Sequence, residues 1–240
     1  MSNAQPPIPA RLAATVVILR DGPKGLETLI MRKNSRANFL GGFWVFPGGS
    51  VEEQDQADSE QQTLKNAAAR ETQEEAALTI NPDDLVYISR WITPETAPKR
   101  FDTHFFLAPA NSSDVIVDGG EIVDSDWVTP AEAIARQANK DIEMMPPTLV
   151  TFHGLQPFTN VAEAIRHFQD KKPWEFLPKA NFADEQLVML YPGDAGYELG
   201  DPDVVGVRHR CLLVDGCWEY MPLSSKPSEK AEDSKSMLLS

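Results

Sequence analysis

Apolar residues occur along the chain in short runs separated by turn-forming residues. Ala13–Leu19 is a nearly continuous apolar run, Asp21–Gly25 gathers Asp, Gly and Pro, and Leu26–Arg32 runs back, a pattern that predicts a β-hairpin. Trp44–Phe46 is a short apolar segment ending at Pro47-Gly48-Gly49, a break that exposes backbone. The period then changes: Leu64, Ala67, Ala68 and Thr72 fall on one side of a helix predicted over Thr63–Leu78. Leu85–Trp91, Phe101–Leu107 and Ile122–Val128 are predicted strands. Thr129-Pro130-Ala131-Glu132 is a helix start, with Thr as cap, Pro in the first turn and Glu at the third position. Further helices are predicted over Pro146–Leu155 and from Val161 to about Lys171, and a hairpin over Val205–Val214 and Cys217–Met221 on an Asp215-Gly216 turn. Strands feeding a helix, followed by more strands and helices, indicate an α/β (α+β) sandwich and not a helical bundle.

A chain of 240 residues holds one large domain or one domain with a lobe. The divisions expected are a flexible N-terminus over 1–11, an α/β domain over 12–140, a mainly helical C-terminal lobe with the closing hairpin over 141–223, and a disordered Lys/Glu/Ser-rich tail over 224–240. With 42% hydrophobic and 24% charged residues the chain is neither disordered nor fibrous. Against 36 Asp and Glu stand 22 Lys and Arg, a net charge of −14, which excludes long nucleic acid as a natural partner. A small polyanionic substrate stays compatible if divalent cations bridge it to carboxylates. The longest early apolar run falls short of a bilayer span, and the opening residues lack a basic segment before an apolar one, so no membrane partner and a cytoplasmic location are expected. Cys211 and Cys217 have neither the company nor the spacing of a zinc site or disulfide framework, and read as reduced thiols.

Arg70-Glu71-Thr72-Gln73-Glu74-Glu75 is the segment that carries chemistry. On a helix, Glu71, Glu74 and Glu75 project from one side, and Arg70 stands one turn before Glu74. Taken alone this is also what a solvated acidic face looks like. As a cluster, it needs cations, and hard divalent ions take carboxylate oxygens. With Phe46-Pro47-Gly48-Gly49 upstream, the segment resembles the signature of the Nudix hydrolase superfamily, G-x5-E-x7-R-E-U-x-E-E-x-G-U, over a domain covering roughly residues 10 to 140. The resemblance implies a Nudix-type α/β/α sandwich with a mixed sheet.

Three departures stand out. Arg70 lies 21 positions after Gly49, against 14 in the signature, which places an insertion of seven residues in Glu52–Glu60. Counting back along the helix, the first glutamate of the box falls on Gln62, with Glu60 or Glu53 as substitutes. Ala77 stands where the signature has its last glycine, a residue suited to left-handed helix ends.

The resemblance also implies roles. Glu74 and Glu75, with the Gly49 carbonyl, would bind Mg²⁺ or Mn²⁺, and Glu71 would be a further ligand or orient the attacking water, with Arg70 holding the cluster. A later carboxylate is typical of the family; Glu121, at the start of a strand, is the candidate, and is equally read as a polar turn residue. The inserted box, the loop WVFPGG, the segment Lys99–Phe106 and the length of chain beyond the box look like the acyl-coenzyme A diphosphatase branch, with a nucleotide small molecule as substrate. ADP-ribose, NADH or dinucleoside polyphosphates are the alternative substrates, and a non-catalytic nucleotide sensor is the competing class. Arg32 with Lys33, and Arg100 with Lys99, are candidate phosphate contacts, or else basic residues at strand ends. His104 reads as a hydrogen-bonded histidine on a sheet, and a homodimer through the C-terminal lobe is compatible with its apolar helices.

Overall fold

The computed structural model describes residues 8–37, 39–183 and 185–223; the residues 1–7 and 224–240, expected to be flexible, lie outside them. The described residues form two compact units, one ending at Phe176 and one beginning at Leu177.

In the first unit the predicted hairpin is Arg11–Gly22 (β1) and Gly25–Lys33 (β2), paired from Leu19↔Thr28 to Gly22↔Gly25. Away from this turn the two strands part. β2 continues against Trp44–Val45 (β3) at Met31 and Arg32, while β1 pairs with Gly48–Ser50 (β4) at Ala13–Thr15. The stretch from Trp44 to Ser50 therefore fills a fork in the sheet. Val86–Ile92 (β5), Phe101–Pro109 (β6), Ile122–Val128 (β7) and Trp174–Phe176 (β8) complete eight strands. β6 lies parallel to β1 and β8 parallel to β5, whereas the other pairings are antiparallel, so the sheet is mixed.

Both faces of the central strands are apolar, which demands cover on both sides. Glu60–Ala76 (α1) covers one face, setting Leu64, Ala67, Ala68 and Ala76 against Val16, Ile18, Met31 and Phe106. Pro130–Ala138 (α2), Pro146–Leu155 (α3) and Val161–Gln169 (α4) follow. α2 packs on β2 and on α3, and α4 on β1, β5 and β6. Phe46 and Phe152 meet with ring centroids 5.2 Å apart, which ties α3 to the segment after β3. This is the expected α/β/α sandwich.

α1 begins three residues before the start predicted at Thr63, because Ser59 caps it, its Oγ accepting from Gln62 N at 3.2 Å. It ends on Ala77 in the left-handed conformation, φ 55° and ψ 25°, with Ala77 N donating to Gln73 O at 3.1 Å. The alanine thus adopts the geometry of the glycine it replaces, at the cost of a crowded Cβ.

The C-terminal extension is not helical. The two helices that suggested a helical lobe, α3 and α4, belong to the unit of the large sheet. From Leu177 the chain forms an antiparallel sheet of Lys179–Ala183 (β9), Gln186–Leu190 (β10), Arg210–Val214 (β11) and Cys217–Met221 (β12), in the order β12-β11-β10-β9. The Asp215-Gly216 hairpin is present, with φ values of 49° and 82° as a two-residue turn of left-handed residues requires. β11 starts at Arg210 and not at Val205, which is 90% exposed. Arg210 instead anchors the strand by gripping Asp194 in a buried pair, Nε–Oδ2 2.8 Å and Nη2–Oδ1 2.6 Å, while Asp194 also accepts from Gly196 N and His209 N.

Relief of the crowded helix end is measurable. Ala77→Gly is expected to raise unfolding free energy by about 1 kcal/mol, the left-handed penalty less the extra freedom of glycine in the unfolded chain, as read by urea denaturation.

Candidate active site

The fork of β1 and β2 brings Pro47-Gly48-Gly49 over the last turns of α1. A Cβ on Gly49 would fall on the Glu71 carboxyl group and oblige it to move aside, so glycine lets backbone and acid lie together as they do. Gly48 N donates to Glu75 Oε2 at 2.9 Å. Glu71 and Glu75 are thus the two acids turned to the loop. Glu74, one position earlier than Glu75, stands outward with its side chain 55% exposed.

Arg70 spans this cluster. Its Nη1 donates to Glu71 Oε1 at 3.0 Å and Glu74 Oε2 at 2.9 Å, and its Nη2 to Ser50 O at 3.0 Å. On its other side Nε and Nη2 grip both oxygens of Asp55, at 2.9 and 3.0 Å. Hydrogen bonding to Asp55, above all, raises the pKa of Arg70, so the guanidinium is a permanent cation here. Asp55 closes a short helical turn, Glu53–Asp55, six positions after Gly49, where the signature G-x5-E has its acid. It is 2% exposed and accepts from Glu52 N at 2.8 Å. The acids expected to stand in for the missing box glutamate do not fill this place. Glu53 and Glu60 are exposed, and Gln62 donates to Asn66 at 3.0 Å. A count back along the helix from Arg70 missed Asp55; the same signature counted forward from Gly49 reaches it, six positions on, so the extra residues lie between Asp55 and Arg70.

Across the fork, a β-bulge in the β2–β7 ladder between Arg32 and Lys33 separates two cations that are neighbours in sequence. Lys33, largely buried, reaches Glu121 Oε1 at 2.6 Å, while Arg32, 46% exposed, sits 3.4 Å from Asp124. Glu121 belongs to a turn folded around Asp118, whose carboxylate accepts from Gly120, Glu121 and Ile122 N at 3.2, 2.9 and 2.8 Å. Asn34 N donates to Glu121 O at 2.7 Å and fixes the same turn from the side of β2. Glu121 thus lies on a polar turn, with its carboxylate paired to Lys33.

Burial raises the pKa of Glu71, opposed by Arg70 and supported by the negative charges of Glu74 and Glu121. Glu75 is pushed up to about 8, mainly by burial, against the Gly48 hydrogen bond and Lys33, with Glu71 and Glu121 adding to the rise. Among the described residues no three His, Cys, Asp or Glu side chains are gathered closely enough to hold a metal ion as they stand. The acids are engaged separately, Glu71 and Glu74 by Arg70, Glu75 by Gly48 N and Glu121 by Lys33. Their chemistry nonetheless suits a hard divalent ion: all donors are carboxylate oxygens, Glu75 is buried and Glu71 half-buried, and their mutual repulsion is what a cation would relieve.

Arg100, offered as a phosphate contact, is instead 9% exposed and donates to Thr93 O at 3.1 Å and Ile8 O at 2.8 Å. Lys99 lies over the rings of Phe39 and Phe101, 5.1 Å from each centroid. His104 is buried beside Tyr87, and burial lowers its pKa; its Nε2, 3.5 Å from Asp102 Oδ1, makes no hydrogen bond among the described residues, contrary to the hydrogen-bonded histidine expected here.

The raised pKa of Glu75 sets a sign for pH dependence. With a folded value near 8 and an unfolded value near 4.5, the folded chain binds the extra proton between them, so stability falls as pH rises through that window. Thermal unfolding in the presence of a chelator is expected to show this decline between about pH 5 and 8, flattened in Glu75→Gln. A decline of equal slope in both chains would assign it elsewhere.

Comparison with known proteins agrees with this geometry. The NUDIX domain pattern matches residues 9–147, more than half of the chain. Acyl-coenzyme A diphosphatase NUDT19 of Xenopus laevis is 26% identical over 158 residues, 53% of this chain and 41% of that protein; the chain thus spans well under half the length of this relative. Putative nudix hydrolase 7 of Caenorhabditis elegans is 22% identical over 223 residues, covering 78% of this chain and 74% of that one. The crystal structure of a NUDIX hydrolase from Alicyclobacillus acidocaldarius superposes with a TM-score of 0.60 at 25% identity, over 68% of this chain and 99% of that one. Fold, loop, acidic helix and pattern coincide, and the chain belongs to the NUDIX domain family.

Proposed function

We propose that the chain is a divalent-metal-dependent pyrophosphohydrolase that cleaves the diphosphate of a nucleoside diphosphate linked to another moiety, with coenzyme A or acyl-coenzyme A as the favoured substrate. The observation that carries this is the apposition of Glu71 and Glu75 to the Gly48-Gly49 loop, with Glu74 and Glu121 alongside. The substrate preference draws on the relatives named acyl-coenzyme A diphosphatase and on the inserted box.

Glu71, Glu74, Glu75 and Glu121, with the loop at Gly49, would hold Mg²⁺ or Mn²⁺. Such an ion, when bound, neutralises charge on a diphosphate and acidifies the attacking water. The residues of the chain do the rest. Glu71 would be a further ligand or would orient the attacking water. Glu75, held by Gly48 N, keeps the helix and loop in register. Lys33 and the exposed Arg32 offer the phosphate oxygens cationic partners at the mouth of the fork. Among the described residues no helix is long and apolar enough to cross a membrane.

The deciding assay offers coenzyme A, a medium-chain acyl-coenzyme A, ADP-ribose, NADH and diadenosine tetraphosphate with Mg²⁺ or Mn²⁺, and resolves products by mass. Release of 3′,5′-ADP from the first two is the expected result, and turnover of a different compound alone would remove the coenzyme A preference. Glu71→Gln, Glu74→Gln and Glu75→Gln are each expected to lower kcat by about 100-fold or more. Near-parental rates in all three would end the hydrolase reading.

A further inference from the structure

We propose that Lys99, resting on the rings of Phe39 and Phe101, is the specificity-determining residue of this site, binding the phosphate that coenzyme A carries on its ribose and that ADP-ribose and NADH lack. This rests on the reading of the site as a pyrophosphohydrolase and names what selects its substrate. The Lys99 ammonium lies 5.1 Å from each ring centroid, and the two centroids are 5.2 Å apart. Lys33 and Arg32 stand beside Glu121 and Asp124, whereas among the described residues the exposed Lys99 has no acidic partner. Ring faces attract an ammonium through their quadrupole without cancelling its charge, and they take no hydrogen bond donor from it that an oxygen could use. Acids outnumber bases 36 to 22 in this chain, yet an aromatic seat and not an acid holds this lysine, which leaves its charge for an anion from outside. A compact ammonium suits a terminal phosphate as a point charge.

Two paths join this seat to the acids. Phe39 rides on the loop between β2 and β3, whose neck closes on Lys33: Gly42 N donates to Lys33 O and Lys33 N to Phe43 O, both at 3.0 Å. Lys33 is the partner of Glu121, and β1 lies between β2 and β6 in the sheet, so the loop leaves the site at Lys33 and passes β1 to reach Phe101 on β6. Along the other path, Phe101 is the register partner of Arg11, three residues before Ala14, the partner of Gly49. At the rise of a strand this sets the seat about 10 Å along β1 from the glycine loop. A diphosphate held at Gly49 therefore leaves its nucleoside to extend along β1, toward Lys99. Arg11, exposed and among the described residues outside any ion pair, puts a second cation at that end. Arg100 gives the lysine its footing by turning inward to Thr93 O and Ile8 O, while Phe101 N donates to Thr93 Oγ1 at 3.0 Å.

The test measures kcat and KM of the full chain, of Lys99→Met and of Phe39→Leu, with coenzyme A and with dephospho-coenzyme A, the same molecule without the ribose phosphate. Lys99→Met keeps the apolar stem on the rings and removes the charge. The ratio of kcat/KM for coenzyme A to that for dephospho-coenzyme A is expected to fall about 10-fold in Lys99→Met, through KM, the worth of one hydrogen bond to a charged group. In Phe39→Leu, where the lysine loses one of its two rings, the same ratio is expected to fall about threefold. An unchanged ratio in Lys99→Met, whatever the loss in overall rate, overturns the proposal, and so does a parent chain that cleaves ADP-ribose but not coenzyme A. Should the chain hydrolyse nothing, the hydrolase reading fails and titration calorimetry with 3′,5′-ADP and 5′-AMP still decides the role of Lys99. Tighter binding of 3′,5′-ADP by about 10-fold, lost in Lys99→Met, upholds it. Equal affinity for the two nucleotides in the parent, or binding of neither, overturns it.

Discussion

Holding like charges together where water is scarce is the constraint on which this structure turns. Glu71 and Glu75 project from one stretch of α1 into the space under the Gly48-Gly49 loop, and burial there penalises their ionised forms. A backbone amide, a guanidinium and an ammonium answer that penalty from three directions: Gly48 N from the fork, Arg70 from the helix, Lys33 from β2. Each direction depends on a feature of the sheet. The parting of β1 and β2 admits the loop, the absence of a Cβ at Gly49 admits the acid, and the bulge at Arg32 and Lys33 aims the lysine.

Much of the first unit was legible because its elements are long and their burial is one-sided or complete. The hairpin of β1 and β2, the helix α1, the strands β5 to β7 and the three later helices all carry their period in the sequence. β3 and β4 are two and three residues long, too short for any period to be seen, and only the Pro-Gly-Gly break marked their place. The second sheet was hidden for a different reason. β9 is largely exposed and lacks alternation, so nothing in Lys179–Ala183 distinguishes a strand from a polar loop, and the helices before it lent their character to the whole region.

At the site, the acids of α1 were readable from helical geometry alone, since three positions on one turn have fixed directions. Residues that arrive from loops were not. Glu121 was put forward from its place before a strand, Asp55 was within reach of a count forward from Gly49, and the turn-forming Asp118 depends on a backbone path that residue spacing does not encode. Arg100 shows the opposite error: a cation at a strand end suggested a ligand contact, yet its donors serve the carbonyls of Thr93 and Ile8 and stitch the chain to itself.

The origin of the carboxylate facing Arg70 has a consequence for how such chains vary. A partner on the helix must keep its distance in whole turns, because one residue more or less carries it to the opposite side. A partner on a loop is free of that rule: the loop can lengthen at a cost that grows only slowly with its length, so long as one acid still reaches the guanidinium. In this chain Asp55 keeps its six-position distance from Gly49 and the acids keep their places on α1, so the added length falls between the two partners of the ion pair and displaces neither.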